Sequence, residues 1–504
     1  MQLNIFTSLL IVANLANGLV IPQAALELEH EVEHQLSALL GEGKEPAKPL
    51  VNSTELQDFI TRDALYERAQ TLYDIAGYSN KSMGHPTRVI GSKGHWGTIA
   101  YIKHELKKLD GYYDVSIQPF KAFMSEIYSF NGTINGKTPE SLVAMDMTPP
   151  TPHKKPVKGD VKLVSNSGCQ LDDYVEMYGK IALIKRGECS FGTKAQLAAQ
   201  NGAKVAIIYN NEDGDIKGTL GVPPKGVHVA PAVGLNKADG EYYVDLLNKG
   251  ELVEAEIAID SFVGPITTVN VIAETVEGDS DNIVMLGAHS DSVGAGPGIN
   301  DDGSGTISLL EVAKQLSNFT VKNKVRFAWW AAEEEGLLGS NYYAENLTPE
   351  ENHKIRLFMD YDMMASPNYE YEIYDANNVD NPKGSEELKN LYIDYYKSRG
   401  LNYTLIPFDG RSDYVGFIEN GIPGGGIAAG AEKNNAENGE VLDRCYHQLC
   451  DDLSNIAWDA FLINTQLIAH SVATYASDLS DFPLREYDAV NAMSFPYRGD
   501  NLII

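Results

Sequence analysis

The stretch that most limits what this chain can fold into is residues 285–316, MLGAHSDSVGAGPGINDDGSGTISLLEVAKQL. An apolar run ends in His289 and Asp291, a glycine-rich loop carries Asn300, Asp301 and Asp302, and an apolar-periodic segment starts at once. The apolar run reads as a buried strand, and the 3.6-residue spacing after it reads as a helix. Strand–loop–helix units of this kind build parallel α/β sheets, which bind ligands outside the carboxyl ends of their strands.

The pattern recurs downstream. KVRFAWWAA runs into Glu333, Glu334 and Glu335, IRLFMDYD closes on Asp362, and His447 lies in DRCYHQLCD between Cys445 and Cys450. Taken singly, a strand-end Asp is a helix cap or turn former, a Glu triplet a solvated turn, and a histidine an ordinary surface or core residue. Jointly these readings become costly, because acids that follow deeply apolar strands would be desolvated and would repel one another. Divalent metals remove the conflict, and mixed His/carboxylate ligation suits zinc. The residues alone thus point to a hydrolase with two metals.

Helix–strand alternation continues from 261 to about 480, with strands such as HKIRLFMDYDMMAS and helices such as SEELKNLYIDYYKSRG. Upstream, Ser92 is placed to cap a helix with Ile99, Ile102 and Leu106 on one face. Between them the rhythm changes: residues 131–160 are turn-rich and proline-rich, then short β runs at 181–184 and 205–209 flank an amphipathic helix. The expected fold is α/β, a mostly parallel mixed sheet flanked by helices, with a smaller α+β domain inserted at 131–260. The main domain is then split into 55–130 and 261–480, with a tail at 481–504. Ordered structure is expected from about Glu55.

The N-terminus has an apolar stretch from about Ile5 to Ala16 and a small-x-small site at Ala16–Gly18. It reads as a signal peptide over 1–18, followed by a polar propeptide over 19–54. Sequons at Asn52, Asn80, Asn131, Asn318, Asn346 and Asn402 agree with secretory entry and glycosylation. The four cysteines allow three connectivities, and short loops favour Cys169–Cys189 and Cys445–Cys450. No later segment is apolar enough to span a membrane. Lys+Arg 40 against Asp+Glu 70, a net charge of −30, argues against nucleic acid and anionic membranes as partners. It suits an acidic surface, or a field that attracts cationic groups such as peptide amino termini.

In this order, AHSDSVGAGPGINDDGSG, RFAWWAAEEEGLLGS, DYDMMASP, GRSDY and DRCYHQLCD resemble the co-catalytic zinc aminopeptidases of bacteria and fungi. IALIKRGECSFGTKAQLA resembles a protease-associated domain, and with GHPTRVIGSKGH it narrows the likeness to fungal vacuolar members, from about residue 55 to the C-terminus. The resemblance implies a zinc-exopeptidase fold and two Zn²⁺ per chain: His289 and Asp362 on one, Glu334 and His447 on the other, Asp301 bridging. It further implies Glu333 as general base, Tyr446 polarising the oxyanion, Asp291 orienting His289, a cis peptide before Asp302, and Arg411 near the substrate. Base and ligand could be Glu333/Glu334 or Glu334/Glu335; the family pattern selects the first pair and leaves Glu335 as a surface acid. The implied substrates are peptides with a free N-terminus, and the implied compartment is the vacuole lumen, with secretion the alternative. A metal-free binding protein and a single-zinc glutaminyl cyclase share this fold. The five intact ligands stand against the first, and Asp301 with both histidines against the second. A carboxypeptidase would need basic groups for a substrate carboxylate, for which Arg411 alone is thin support.

Overall fold

The computed structural model describes residues 48–485, except 215, 217 and 223–225. The expected signal peptide, residues 19–47 of the expected propeptide and residues 486–504 of the tail lie outside the described residues. The packed chain begins at Leu50, ahead of the expected start at Glu55. Val51 N–H donates to the Thr320 carbonyl at 2.9 Å, and the Val51 side chain is buried.

Helices α1 (Ser53–Asp58), α2 (Arg62–Ala76) and α3 (Lys93–Lys107) come first. Ser92 caps α3 as expected, its hydroxyl accepting from His95 N–H at 3.1 Å. Strand β1 (Tyr113–Ile134) leads into the inserted region: β2 (Val143–Ala144), β3 (Val157–Leu163), β4 (Ile181–Lys185), α4 (Phe191–Gln200), β5 (Val205–Tyr209), β6 (Ala232–Leu235) and α5 (Lys237–Asn248). Strand β7 (Glu254–Thr275) returns antiparallel to β1. These two 22-residue strands form a ribbon that pairs with β3 at one end and with the main sheet at the other. Boundaries at 130/131 and 260/261 therefore fall inside strands. The composition change at 131 marks nearby turns, and a continuous ribbon leaves no break in composition.

The main domain continues with β8 (Asp279–His289), α6 (Gly303–Leu316), β9 (Asn323–Trp330), β10 (Ile355–Tyr361), β11 (Glu372–Tyr374), α7 (Ser385–Ser398), β12 (Thr404–Ile406), β13 (Gly424–Ala428) and α8 (Trp458–Ser477). The strand order is β12–β11–β13–β10–β8–β9–β7. Pairs β8/β9, β8/β10 and β10/β13 are parallel, while β11/β13 and β7/β9 are antiparallel. The sheet is thus mixed with a parallel centre. Residues 283–289 and all of β10 are buried, the signature of strands covered on both faces. Gly287 is required there, since a Cβ would lie 2.3 Å from the Trp330 indole nitrogen.

A buried ion network ties the N-terminal helices to α6. Arg68 Nε donates to Glu311 at 2.7 Å, and its Nη1 reaches Tyr101 at 3.0 Å and Glu105 at 3.2 Å. Glu311 is fully buried, and without Arg68 its charge would rest on the Gln315 amide at 2.6 Å and on Lys314 at 3.8 Å alone. Arg68→Met is expected to destabilise the fold by about 3–5 kcal/mol, read from urea unfolding. Adding Glu311→Leu should recover most of that loss, and no recovery would mean that packing rather than charge dominates.

Both expected disulfides are formed, Cys169–Cys189 and Cys445–Cys450. All six sequon asparagines are exposed. No described helix is long and apolar enough to cross a membrane.

Candidate active site

Parallel register brings the ends of three central strands level, with His289 of β8 opposite Trp330 of β9 and Gly287 opposite Asp360 of β10. Chain turns just past these ends aim the side chains inward. Ala332 precedes Glu333 with φ 62° and Met363 follows Asp362 with φ 54°; in the separate Cys445–Cys450 loop His447 itself has φ 59°. Non-glycine residues adopt this left-handed conformation at a cost and keep it where surrounding structure enforces it, often at functional sites.

The structure brings the expected ligands together. His289 Nε2 lies 3.2 Å from Asp301 Oδ1 and 3.7 Å from Asp362 Oδ1. His447 Nε2 lies 3.2 Å from Asp301 Oδ2 and 3.1 Å from Glu334 Oε2. Asp301 therefore offers one oxygen to each histidine. Neither ring nitrogen of His289, nor Asp362 Oδ1, nor Glu334 Oε1, has a hydrogen-bond partner. Buried polar atoms are seldom left so. Ligand atoms about 2.0–2.2 Å from a tetrahedral zinc stand roughly 3.3–3.6 Å from one another. The observed separations, 3.1–3.7 Å, bracket that range, and with the orphaned atoms they suit divalent-metal ligation around Asp301.

The neighbouring Asp302 could also close a group with His289 and Asp362, but its oxygens are already taken. Oδ1 accepts from Gly305 N–H and Met363 N–H at 2.9 and 3.0 Å, and Oδ2 accepts from His289 N–H at 3.1 Å. Asp302 thus caps α6 and pins β8 and β10 beside it, while Asp301 projects into the site. The peptide between them is cis.

Glu333 is buried, with Oε2 3.8 Å from His289 Nε2. Burial, together with the charges of Glu334, Asp362 and Asp413, raises its carboxyl well above the usual range, against the opposing pull of His289. Burial opposes charge on His447, yet Glu334 and Asp301 raise it to about 11. Burial likewise opposes charge on His289, while Glu333, Asp301 and Asp362 raise it well above its ordinary value.

Two expectations are adjusted, and one residue is added. Asp291 was expected to orient His289, but its Oδ1 is 3.8 Å from Nδ1, too far for a hydrogen bond. Its oxygens instead face the Glu333 and Glu334 amides, each at 3.4 Å. Glu335 is not a surface acid: it is half-buried, with Oε2 unpartnered and its carboxyl raised by burial and by Asp291 and Glu334. The turn after Ala332 folds the triplet back against β8, which the sequence pattern cannot reveal. Ser412 was not singled out, although GRSDY contains it; its hydroxyl donates to Asp362 Oδ2 at 3.0 Å.

A cavity of about 70 Å³ opens beside Asp362, lined by Met363, Tyr374, Glu372, Arg411 and Tyr446. Arg411 is tied to Asp409 at 3.0 Å and Glu432 at 2.7 Å. Burial keeps the Tyr446 phenol protonated, so it can donate a hydrogen bond, and its ring stacks on His447 at 3.8 Å between centroids. Both residues sit in the loop closed by Cys445–Cys450. Cys445→Ser/Cys450→Ser is expected to lose about 2 kcal/mol of global stability, the chain-entropy value for so short a loop, but at least ten-fold in catalysis. Wild-type activity in that double mutant would show that the disulfide does not hold the loop.

Residues 270–472 match Peptidase family M28, and residues 157–243 match the PA domain. Aminopeptidase Y of Saccharomyces cerevisiae is 54% identical over 526 residues, covering 97% of each chain. The aminopeptidase from Aneurinibacillus sp. strain AM-1 aligns at TM-score 0.68 with 27% identity, over 84% of this chain and 96% of that one. BSAP, a zinc aminopeptidase from Bacillus subtilis, aligns at TM-score 0.60 with 25% identity, over 83% of this chain and 98% of its own.

Proposed function

The chain belongs to peptidase family M28, and on that premise we propose that it is a zinc-dependent aminopeptidase that removes single N-terminal residues through a two-zinc centre. The observation that carries this reading is Asp301, whose two oxygens each lie 3.2 Å from a different histidine. His289 and Asp362 would hold one zinc, Glu334 and His447 the other, with Asp301 shared. Bound there, zinc supplies Lewis acidity, which polarises a carbonyl oxygen and makes water a nucleophile at neutral pH.

The chain's own groups do the rest. Glu333 takes a proton from the attacking water and delivers it to the leaving amine, work suited to a carboxyl whose pKa is raised by burial. Tyr446 donates a hydrogen bond from its hydroxyl to the oxygen on which negative charge develops. The substrate's ammonium group meets the carboxylates around the cavity, which also receives the first side chain, so cleavage stops after one residue. Arg411 stands at the cavity wall near that side chain.

The test is hydrolysis of one leucyl peptide, with its amino terminus free or acetylated, before and after a chelator. Cleavage of the free form alone, lost with chelator and restored by zinc, supports the reading. No cleavage by processed protein would favour a binding protein, and one zinc per chain at saturation would revive the cyclase.

Formed disulfides and exposed sequons support passage through the secretory pathway, with the vacuole lumen as destination and secretion as the alternative. A mobility shift on deglycosylation would support that route. An unchanged N-terminus just after residue 18 in mature protein would remove the propeptide.

A further inference from the structure

Arg88 has no exposed surface, and among the described residues no carboxylate approaches it within 4.0 Å. A buried guanidinium without a direct counter-ion is costly unless its donors are well used. Here they go to main-chain carbonyls of the loop that carries Asp301. Nε donates to Pro297 O at 2.8 Å, Nη1 to Ser290 O at 2.5 Å, and Nη2 to Gly298 O at 2.5 Å, with Asp301 O at 3.5 Å. Gly298, at φ 59°, lets the chain turn round it, since a Cβ would lie 2.2 Å from the Asp301 carbonyl. The Arg88 amide also donates to Ser292 Oγ at 2.9 Å.

The amides of the same short run converge on the buried carboxyl of Asp451. Asp451 Oδ1 accepts from Asn300 N–H at 2.9 Å, its Oδ2 from Asp301 N–H at 3.0 Å, and its carbonyl from Ile299 N–H at 3.0 Å. Asp443 accepts from the Asn300 side-chain amide at 2.7 Å. Asp443 and Asp451 flank the Cys445–Cys450 loop that bears His447, so they also tie that loop to the bridge.

We propose that Arg88 and Asp451 are positioning residues for Asp301, a guanidinium gripping the carbonyls and a carboxylate gripping the amides of residues 297–301. The proposal rests on the reading of Asp301 as the shared ligand. The clamp holds that peptide run so that the two Asp301 oxygens face His289 and His447 without searching. Its charges also suit the site: Arg88 supplies positive potential to Asp291, Asp301, Asp302 and Asp451.

The test compares full-length Arg88→Lys, Arg88→Met, Asp451→Asn and Asp301→Asn with wild type. The readouts are the rate of zinc loss to a colorimetric chelator, kcat and KM on a leucyl peptide, and the urea midpoint of zinc-stripped protein. Arg88→Met and Asp451→Asn are expected to lose zinc about 10–100-fold faster, with kcat falling at least ten-fold and KM within about two-fold. Lysine keeps the charge but not the planar fork, so Arg88→Lys should recover only part of the loss. Wild-type zinc loss and kcat in Asp451→Asn or in folded Arg88 variants, with only the urea midpoint lowered, would overturn the clamp. If the Arg88 variants do not fold, Asp451→Asn decides. Asp301→Asn separates the two ideas: zinc retained there as in wild type removes the bridge itself, whereas zinc lost there but kept in the others removes only the clamp.

Discussion

Glu333→Gln is expected to cut kcat by about 10²- to 10⁴-fold, the usual worth of a positioned proton acceptor, while zinc per chain stays unchanged. The amide is nearly isosteric with the carboxylate but cannot accept and release a proton at neutral pH. Glu333 lies 3.8 Å from His289 and stands outside the proposed ligand set of Asp301, Asp362, Glu334 and the two histidines. Burial and the neighbouring acids raise its carboxyl above the usual range, against the pull of His289. Metal analysis and steady-state kinetics on the same sample check both halves. A near-normal kcat would take the base role from Glu333, and Glu334→Gln would then distinguish the neighbouring acid. Zinc lost along with turnover would instead make Glu333 a ligand.

Asp301→Ala is expected to abolish detectable turnover and to weaken zinc retention on both sides, by more than the 10–100-fold typical of outer partners. One side chain serves two histidines, so its removal leaves two imidazoles facing a gap flanked by Glu334, Asp362 and Glu333. The same residues make uptake pH-dependent. Before zinc binds, acidic neighbours outweigh burial and raise both imidazoles, His289 well above its ordinary value and His447 to about 11. Ligation needs the neutral imidazole, so zinc uptake at pH 7 should release protons, and affinity should fall as pH drops. Titration in weakly buffered indicator solution reads the release. Zinc uptake by Asp301→Ala at wild-type strength would mean that Asp301 does not bridge.

Among its described residues the inserted region carries no catalytic constellation, yet the β1/β7 ribbon joins its sheet to the main one. Deleting residues between the two strands should therefore be made with a tight turn that keeps the ribbon paired. A changed preference between dipeptides and long peptides in that variant would make the region a size filter, and an unchanged one would leave it a scaffold.

Much of the site was legible before any coordinates. Apolar runs that end in His289, Glu333 and Asp362 announce buried parallel strands with chemistry at their carboxyl ends, because burial on both faces forces such composition. The glycine loop, the cap at Ser92 and the disulfide loops are likewise local, and local spacing is what a chain displays. Tertiary structure decided the rest. Arg88 and Gly298 are 210 residues apart, and Arg68 and Glu311 are 243 apart, so no periodicity links them. Whether Asp301 or Asp302 faces the histidines depends on which carboxylate the amides of Gly305, Met363 and His289 claim. Glu335 turns inward, Asp291 holds the Glu333 and Glu334 amides, and the domain boundary lies within a ribbon, all for the same reason. The sequence by itself determined which residue types stand at the strand ends; packing of distant segments decided which way each one points and what it touches.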